Sequence, residues 1–199
     1  LSMSATPIPR SMNLALSGIY SISLLQTPPL MRLPIITHVK SYNDKIINDA
    51  IVFEVERGGQ VYFVNNDISS IYALASRLKS SLPQMNIQTI HGQENVHKIE
   101  KQMSEFVSGN IDVLVCTSII EVGIDVPNAN CIIINNAQMF GLAQLYQMRG
   151  RVGRSSRQAH AYLLIPKGHH PSQPLLSRFK SLLENTRLGS GYNISISDM

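Results

Sequence analysis

Apolar runs of strand length alternate along this chain with segments of helical period, and that alternation constrains the fold more than any other feature. Residues 35–39, 60–64, 87–90, 112–116, 131–134 and 159–165 read as six strands. Between them, residues 43–57, 68–82, 95–108 and 142–149 carry apolar side chains at helical spacing, as in Ile71, Leu74, Ala75 and Leu78. Strand and helix in alternation imply right-handed crossovers, and hence an α/β fold with a parallel sheet and helices on both faces. The runs "DVLVC" and "NCIII" are apolar on both alternating sets, which suits central strands covered on both sides. Ligands of such sheets gather at the carboxyl ends of strands, so the loops after Val64, Ile90, Cys116 and Ile134 are the expected functional ones.

With 199 residues, 44% of them hydrophobic, the chain is long enough for one domain and pieces of others. The stretch "TPPLMRLP", residues 27–34, holds three prolines and reads as an extended linker. Residues 1–26 read as the tail end of a preceding domain, residues 35–165 as the domain proper, and residues 173–188 as a helix in a terminal segment, 166–199. No run of about 18 apolar residues occurs, so no membrane partner is expected. Cys116 and Cys131 lack any C-x-x-C or His spacing for zinc and read as small core residues of a reducing compartment. His169 and His170 are adjacent and present no chelating face, so no metal site is expected.

Lys and Arg outnumber Asp and Glu by 17 to 13, a net charge of +4. That excess is too mild to name an anionic partner, and only clustering can. The clustering is in "GLAQLYQMRGRVGRSSRQAHAYLLIP", where Arg149, Arg151, Arg154 and Arg157 fall close together. The helix over 142–149 runs out at Gly150, and "GRVGR" sets Arg151 and Arg154 three apart, on flexible glycines, where both can face one anion. A guanidinium is always charged and donates in a rigid fork that suits phosphate oxygens. The alternative is a solvated basic loop.

Upstream, "CTSIIEVGIDVPNAN" follows a buried strand and supplies Thr117, Ser118, Gly123 and Asp125. Hydroxyls and backbone N–H groups at a strand end suit a nucleic-acid phosphate, and Asp125 suits a ribose hydroxyl. The same residues also read as an ordinary helix cap followed by a turn. No G-x-x-x-x-G-K-[ST] or G-x-G-x-x-G loop occurs, so nothing here binds a nucleoside triphosphate unaided.

Three segments together amount to a family resemblance. "SATPIPR" (4–10), "TSIIEVGIDVP" (117–127) and "QMRGRVGR" (147–154) resemble motifs III, V and VI of superfamily 2 helicases, in the expected order. "ATPIPR" and "GLAQLYQMRGRVGR" are similar to the RecG-like branch. Within that branch "ERGGQVYFVNND" leads through one helix to "IHGQ" without insertion, as in the transcription-repair coupling factors.

The resemblance implies the second RecA-like motor domain of a double-stranded DNA translocase, preceded by the last piece of the first motor domain. That first domain would be the partner in cis and carry the Mg²⁺ ligands. ATP would lie between the two domains, with Arg151 and Arg154 as arginine fingers. Gly123, Asp125 and Gln147 would face the nucleotide, and Thr117 and Ser118 the DNA backbone. His91 and Gly92 would make a further backbone contact, though a lone histidine is as often structural. Ser4 and Thr6 would couple ATP state to DNA grip, and their plainer reading is a capped helix. Residues 166–199 would begin a translocation hairpin.

The full protein would displace stalled RNA polymerase and recruit excision-repair proteins, in a bacterial cytoplasm or a plastid, while the isolated chain would be inactive. A RecG-like fork-remodelling helicase and a non-catalytic nucleic-acid-binding module are the alternatives. The second of these predicts that Arg151 and Arg154 face away from Asp125.

Overall fold

The computed structural model describes residues 33–118, 125–169 and 171–184. Six strands form in chain order: β1 (Ile36–Ser41), β2 (Gln60–Val64), β3 (Ile87–Ile90), β4 (Val113–Cys116), β5 (Ala129–Ile134) and β6 (His160–Ile165). The helices are α1 (Asp44–Glu56), α2 (Ile68–Ser81), α3 (Val96–Val107), α4 (Leu142–Arg149) and α5 (Gln173–Glu184). Each of the first three starts on a side-chain cap: Asn43 accepts from Lys45 N–H, Asp67 from Ser69 N–H and Asn95 from His97 N–H. The caps set the starts of α1 and α3 one residue inside their periodic segments, and that of α2 at Ile68 itself. β1 runs on to Ser41 because its partner strand is still available at Ile165.

All strand pairs are parallel, in the order β1-β6-β5-β2-β4-β3. The chain steps outward from β1 through β2 to β3, then returns through β4, β5 and β6. Right-handed crossovers therefore put α1 and α2 on one face and α3, α4 and α5 on the other. Alternate residues of the central strands feed two separate cores. Val61, Phe63, Val113, Val115 and Cys131 pack with Ile47, Ile51 and Leu74 of α1 and α2. Tyr62, Val64, Leu114, Cys116 and Ile132 pack with Phe106, Leu145 and Leu182 of the opposite helices. Both thiols are buried, unbridged and pushed up by that burial, which makes them packing groups. Among the described residues no helix is long and apolar enough to cross a membrane.

Two of the four clustered arginines are spent on the fold. Arg149 is 4% exposed, and its Nη1 donates to the Leu182 carbonyl at 2.7 Å while its guanidinium lies 5.0 Å from the Tyr146 ring. It ties α5 onto α4, helped by Arg178 Nη1, which donates to the Phe140 carbonyl at 2.8 Å. Arg157 Nη1 donates to the Arg57 carbonyl at 2.7 Å.

At the outer strands, His38 Nε2 and His160 Nδ1 lie 3.3 Å apart, and His38 stacks on Tyr162 with centroids 4.6 Å apart. Burial lowers the pKa of both imidazoles, with Lys40 adding to the effect on His38, and Arg57 and His38 adding to it on His160. An unfolded histidine titrates near about 6.5, so below that pH the unfolded chain binds more protons than the folded one. The stability contributed by these neutral rings is complete above about pH 6.5 and is lost as pH falls through their depressed folded values. The thermal midpoint should therefore drop between about pH 7.5 and 5.5. In a His38→Phe/His160→Phe variant that slope should flatten.

Candidate nucleotide and nucleic-acid site

Among the described residues, the arginine loop with Asp125 and the group of Thr117, Ser118, His91 and Gly92 lie at opposite edges of the sheet. Helix α4 starts beyond the carboxyl end of β5 and runs back against the strands. It therefore delivers residues 150–159 to the amino edge, immediately before β6. The arginine loop is thus set apart from the loops after Val64, Ile90, Cys116 and Ile134, which leave strand carboxyl ends. The arginine loop lies at the other edge because a helix, and not a strand, leads into it.

The loop is held there by bonds to neighbouring strand starts. Ser155 Oγ donates to Asn130 Oδ1 at 2.8 Å, beside the start of β5. Arg57 Nη2 donates to the Gln158 carbonyl at 2.6 Å, just ahead of β2. Gln158 Nε2 donates to the Pro34 carbonyl at 2.6 Å, ahead of β1. Gly153 has φ 73°, and a Cβ there would lie 3.1 Å from Ala159 Cβ and 3.2 Å from Ile35 Cγ1. It is a close-packed left-handed position, where a side chain would be both strained and crowded, and not the loose hinge suggested by "GRVGR". Gly150 caps the end of the helix, and Val152 beyond it is buried.

On this fixed loop Arg154 Nη1 donates to Asp125 Oδ1 at 2.9 Å. The Arg154 side chain is 25% exposed and that of Asp125 is 64% exposed. The buried Tyr62 phenol reports how the charges converge. Burial pushes its pKa up, Cys116 adds to that, and the Arg154 and Arg151 guanidiniums pull against it while Asp125 opposes them. Arg154 and Asp125 meet ahead of β5, and Arg151, two residues past the end of α4, lies toward the same amino edge. Arg154 Nε is buried and has no hydrogen-bond acceptor among the described residues. The unsatisfied Arg154 N–H is a donor that a phosphate oxygen can accept from, and nucleotide phosphate fits here on that ground. Gln147, on α4, is partly exposed. Gly123, Ser4 and Thr6 lie outside the described residues.

The carboxyl edge carries the other group. Thr117 and Ser118 follow β4 directly and are partly exposed. Beside them stand two asparagines that the sequence reading passed over. Asn65 donates its Nδ2 to the Asp67 carbonyl at 2.8 Å and its backbone N–H to the Cys116 carbonyl at 2.8 Å. Asn135 Nδ2 donates to Asn65 Oδ1 at 2.9 Å, joining the ends of β2 and β5. The signal was present as "VNND" and "INNA", an asparagine pair closing each of two buried strands.

His91 is 7% exposed, and its Nε2 lies 2.9 Å from the Tyr72 hydroxyl and 3.6 Å from Glu94 Oε1, which also accepts from Lys98 Nζ. Its ring is engaged in this network. Gly92 is exposed, with open space where a Cβ would stand, so of the pair only Gly92 offers a surface. No group of three or more His, Cys, Asp or Glu able to hold a metal occurs among the described residues.

Residues 43–156 match the family described as the helicase conserved C-terminal domain. Over all 199 residues the chain is 46% identical to the transcription-repair-coupling factor of Helicobacter pylori. Over the same length it is 44% identical to a chloroplastic ATP-dependent DNA helicase of Arabidopsis thaliana. It spans 20% and 24% of those two proteins. The structure of RecG bound to a three-way DNA junction superposes with a TM-score of 0.81 at 35% identity, covering 98% of this chain and 26% of that one. The matched family covers β2 to β5, their helices and the arginine loop, and the chain belongs to the helicase conserved C-terminal domain family.

Proposed function

We propose that the chain works as the second RecA-like motor domain of an ATP-dependent double-stranded DNA translocase of the coupling-factor type. The observation that carries the reading is the Arg154–Asp125 pair at the amino edge, on a loop that leaves α4 through Arg151 and is anchored by Ser155, Arg157 and Gln158. A binding module that kept basic residues only for phosphates has no need of a carboxylate beside them.

In this reading a first motor domain faces the amino edge and supplies the triphosphate grip and the Mg²⁺ ligands. Arg154 and Arg151 then stand against the terminal phosphate and stabilise the charge that grows on its oxygens during transfer. Gly123, Asp125 and Gln147 would orient the nucleotide, and Mg²⁺, held by residues of the first domain, would supply neutralisation of phosphate charge. At the far edge Thr117, Ser118 and the Gly92 backbone take DNA phosphates. Ser4 and Thr6, on the proposed tail of the first domain (1–26), couple the two across the linker (27–34). Residues 166–199 begin the translocation hairpin after the motor domain (35–165).

The 46% identity to a coupling factor supports extending the proposal to the whole protein. It would clear stalled RNA polymerase and hand the site to excision repair, in a bacterial cytoplasm or a plastid. The likeness to junction-bound RecG favours branched DNA as the alternative substrate.

In the test, ATP turnover of the full-length protein should rise on adding double-stranded DNA, while the 199-residue chain alone should show none. Hydrolysis by the chain alone would remove the need for a second wall and end the proposal. Release of polymerase from stalled complexes, set against unwinding of three-way junctions, separates the two substrates.

A further inference from the structure

Arg154 and Asp125 are 29 residues apart in sequence and meet in a single contact, Nη1 to Oδ1 at 2.9 Å. The arginine is three-quarters covered, whereas the carboxylate faces solvent. A pair built this way is screened on its outer side and contributes little to stability. It still settles direction, because a three-quarters-covered guanidinium bonded to one acceptor has few rotamers left to it. Glu54, another carboxylate at the amino edge, is already engaged by Arg57 at 2.5 Å.

Resting on the motor-domain reading above, we infer that Asp125 is a positioning residue for Arg154: it aims the guanidinium before nucleotide arrives and releases it to the phosphate oxygens. The exchange is balanced in hydrogen bonds. Before binding, the carboxylate accepts from Nη1. After binding, Nη1 donates to phosphate and the freed carboxylate accepts from a ribose hydroxyl. The same oxygen serves both states, so the arginine is never left swinging in solvent and the carboxylate is never left beside the phosphate without a donor. A ribose ligand alone would act only on affinity. A positioning residue acts on the chemical step, where a misplacement of about 1 Å costs about 100-fold.

The experiment uses the full-length protein with double-stranded DNA and compares Asp125→Ala, Arg154→Ala and the double variant in single-turnover ATP hydrolysis. Asp125→Ala should lower the maximal rate about 10- to 100-fold as well as raise the ATP concentration needed. In the Arg154→Ala background it should change the maximal rate by less than about twofold, since the group it aims is gone. Asp125→Asn, which keeps an oxygen acceptor, should fall between wild type and Asp125→Ala. A change in KM alone, or rate losses that multiply in the double variant, would overturn the positioning role and leave the motor reading standing. An Arg154→Ala variant with full turnover would instead remove the motor reading itself. Asp125 is exposed, so unchanged far-UV spectra and thermal midpoints are expected for its variants and check that folding is intact.

Discussion

Replacing Arg154 by alanine in the full-length protein should reduce DNA-stimulated ATP turnover by about 10³- to 10⁵-fold, the range associated with loss of an arginine finger. The loss falls on turnover and not on the fold. Arg154 makes one hydrogen bond, to a solvent-facing carboxylate, whereas the loop is held by Ser155, Arg157, Gln158 and the packing of Val152 and Gly153. DNA binding should change little, because the candidate phosphate contacts at Thr117, Ser118 and Gly92 lie on the other edge of the sheet. Steady-state turnover across ATP and DNA concentrations checks both statements. Full turnover with weaker, salt-sensitive DNA binding would instead mark the arginine as a phosphate contact of a simple binder.

Arg57→Ala should destabilise the domain by about 3 kcal/mol, seen as an earlier urea midpoint. Arg57 Nη2 holds the Glu54 carboxylate at 2.5 Å and also donates to Gln158, and its guanidinium covers Phe53 at 5.1 Å. The Glu54 side chain is 1% exposed, so deleting its partner strands a buried charge. Burial already raises the Glu54 pKa while Arg57, and then Arg157, pull it down. Without Arg57 it rises further above the usual carboxylate value of about 4.3. A raised carboxyl contributes stability below its unfolded pKa and loses it as pH climbs through the folded value, so the deficit of Arg57→Ala should shrink toward acid. Adding Glu54→Gln to Arg57→Ala should restore part of the loss at neutral pH. An Arg57→Ala domain as stable as wild type would show that the Glu54 charge is satisfied elsewhere. Since Arg57 also braces the arginine loop through Gln158, its loss should soften that loop as well.

The elements of the fold were legible because strands buried on both faces read as continuous apolar runs, and helices with Asx caps announce their starts. "DVLVC" and "NCIII" became β4 and β5, and Asn43, Asp67 and Asn95 each cap a helix. The edge to which each motif is carried was not legible, because it depends on the direction in which the chain enters a loop. Thr117 leaves a strand and lands at the carboxyl edge. Arg151 leaves a helix and lands at the amino edge. Nor does a run of four arginines say which are structural. Arg149 and Arg157 became fold contacts because backbone carbonyls of α5 and of the turn before β2 lie within reach, which only the tertiary arrangement provides. His91 is similar: the turn after β3 places it against Tyr72, 19 residues earlier. The Asn65–Asn135 bond joins residues 70 apart, and each asparagine alone looks like an ordinary turn residue.

The outermost strand β1 pairs with β6 alone among the described strands, Ile36 opposite His160, so the strand that opens the domain must wait for the one that completes it. Loop closure over such a span is the slow kind of folding event, and it comes last on a chain emerging from synthesis in order. The same closure draws Ile36 N–H to the Ala159 carbonyl and Gln158 to Pro34, the bonds that seat the arginine loop. A partly made domain therefore lacks the bonds that hold its charged forks in place: the finishing stitch of the sheet is also what fixes them.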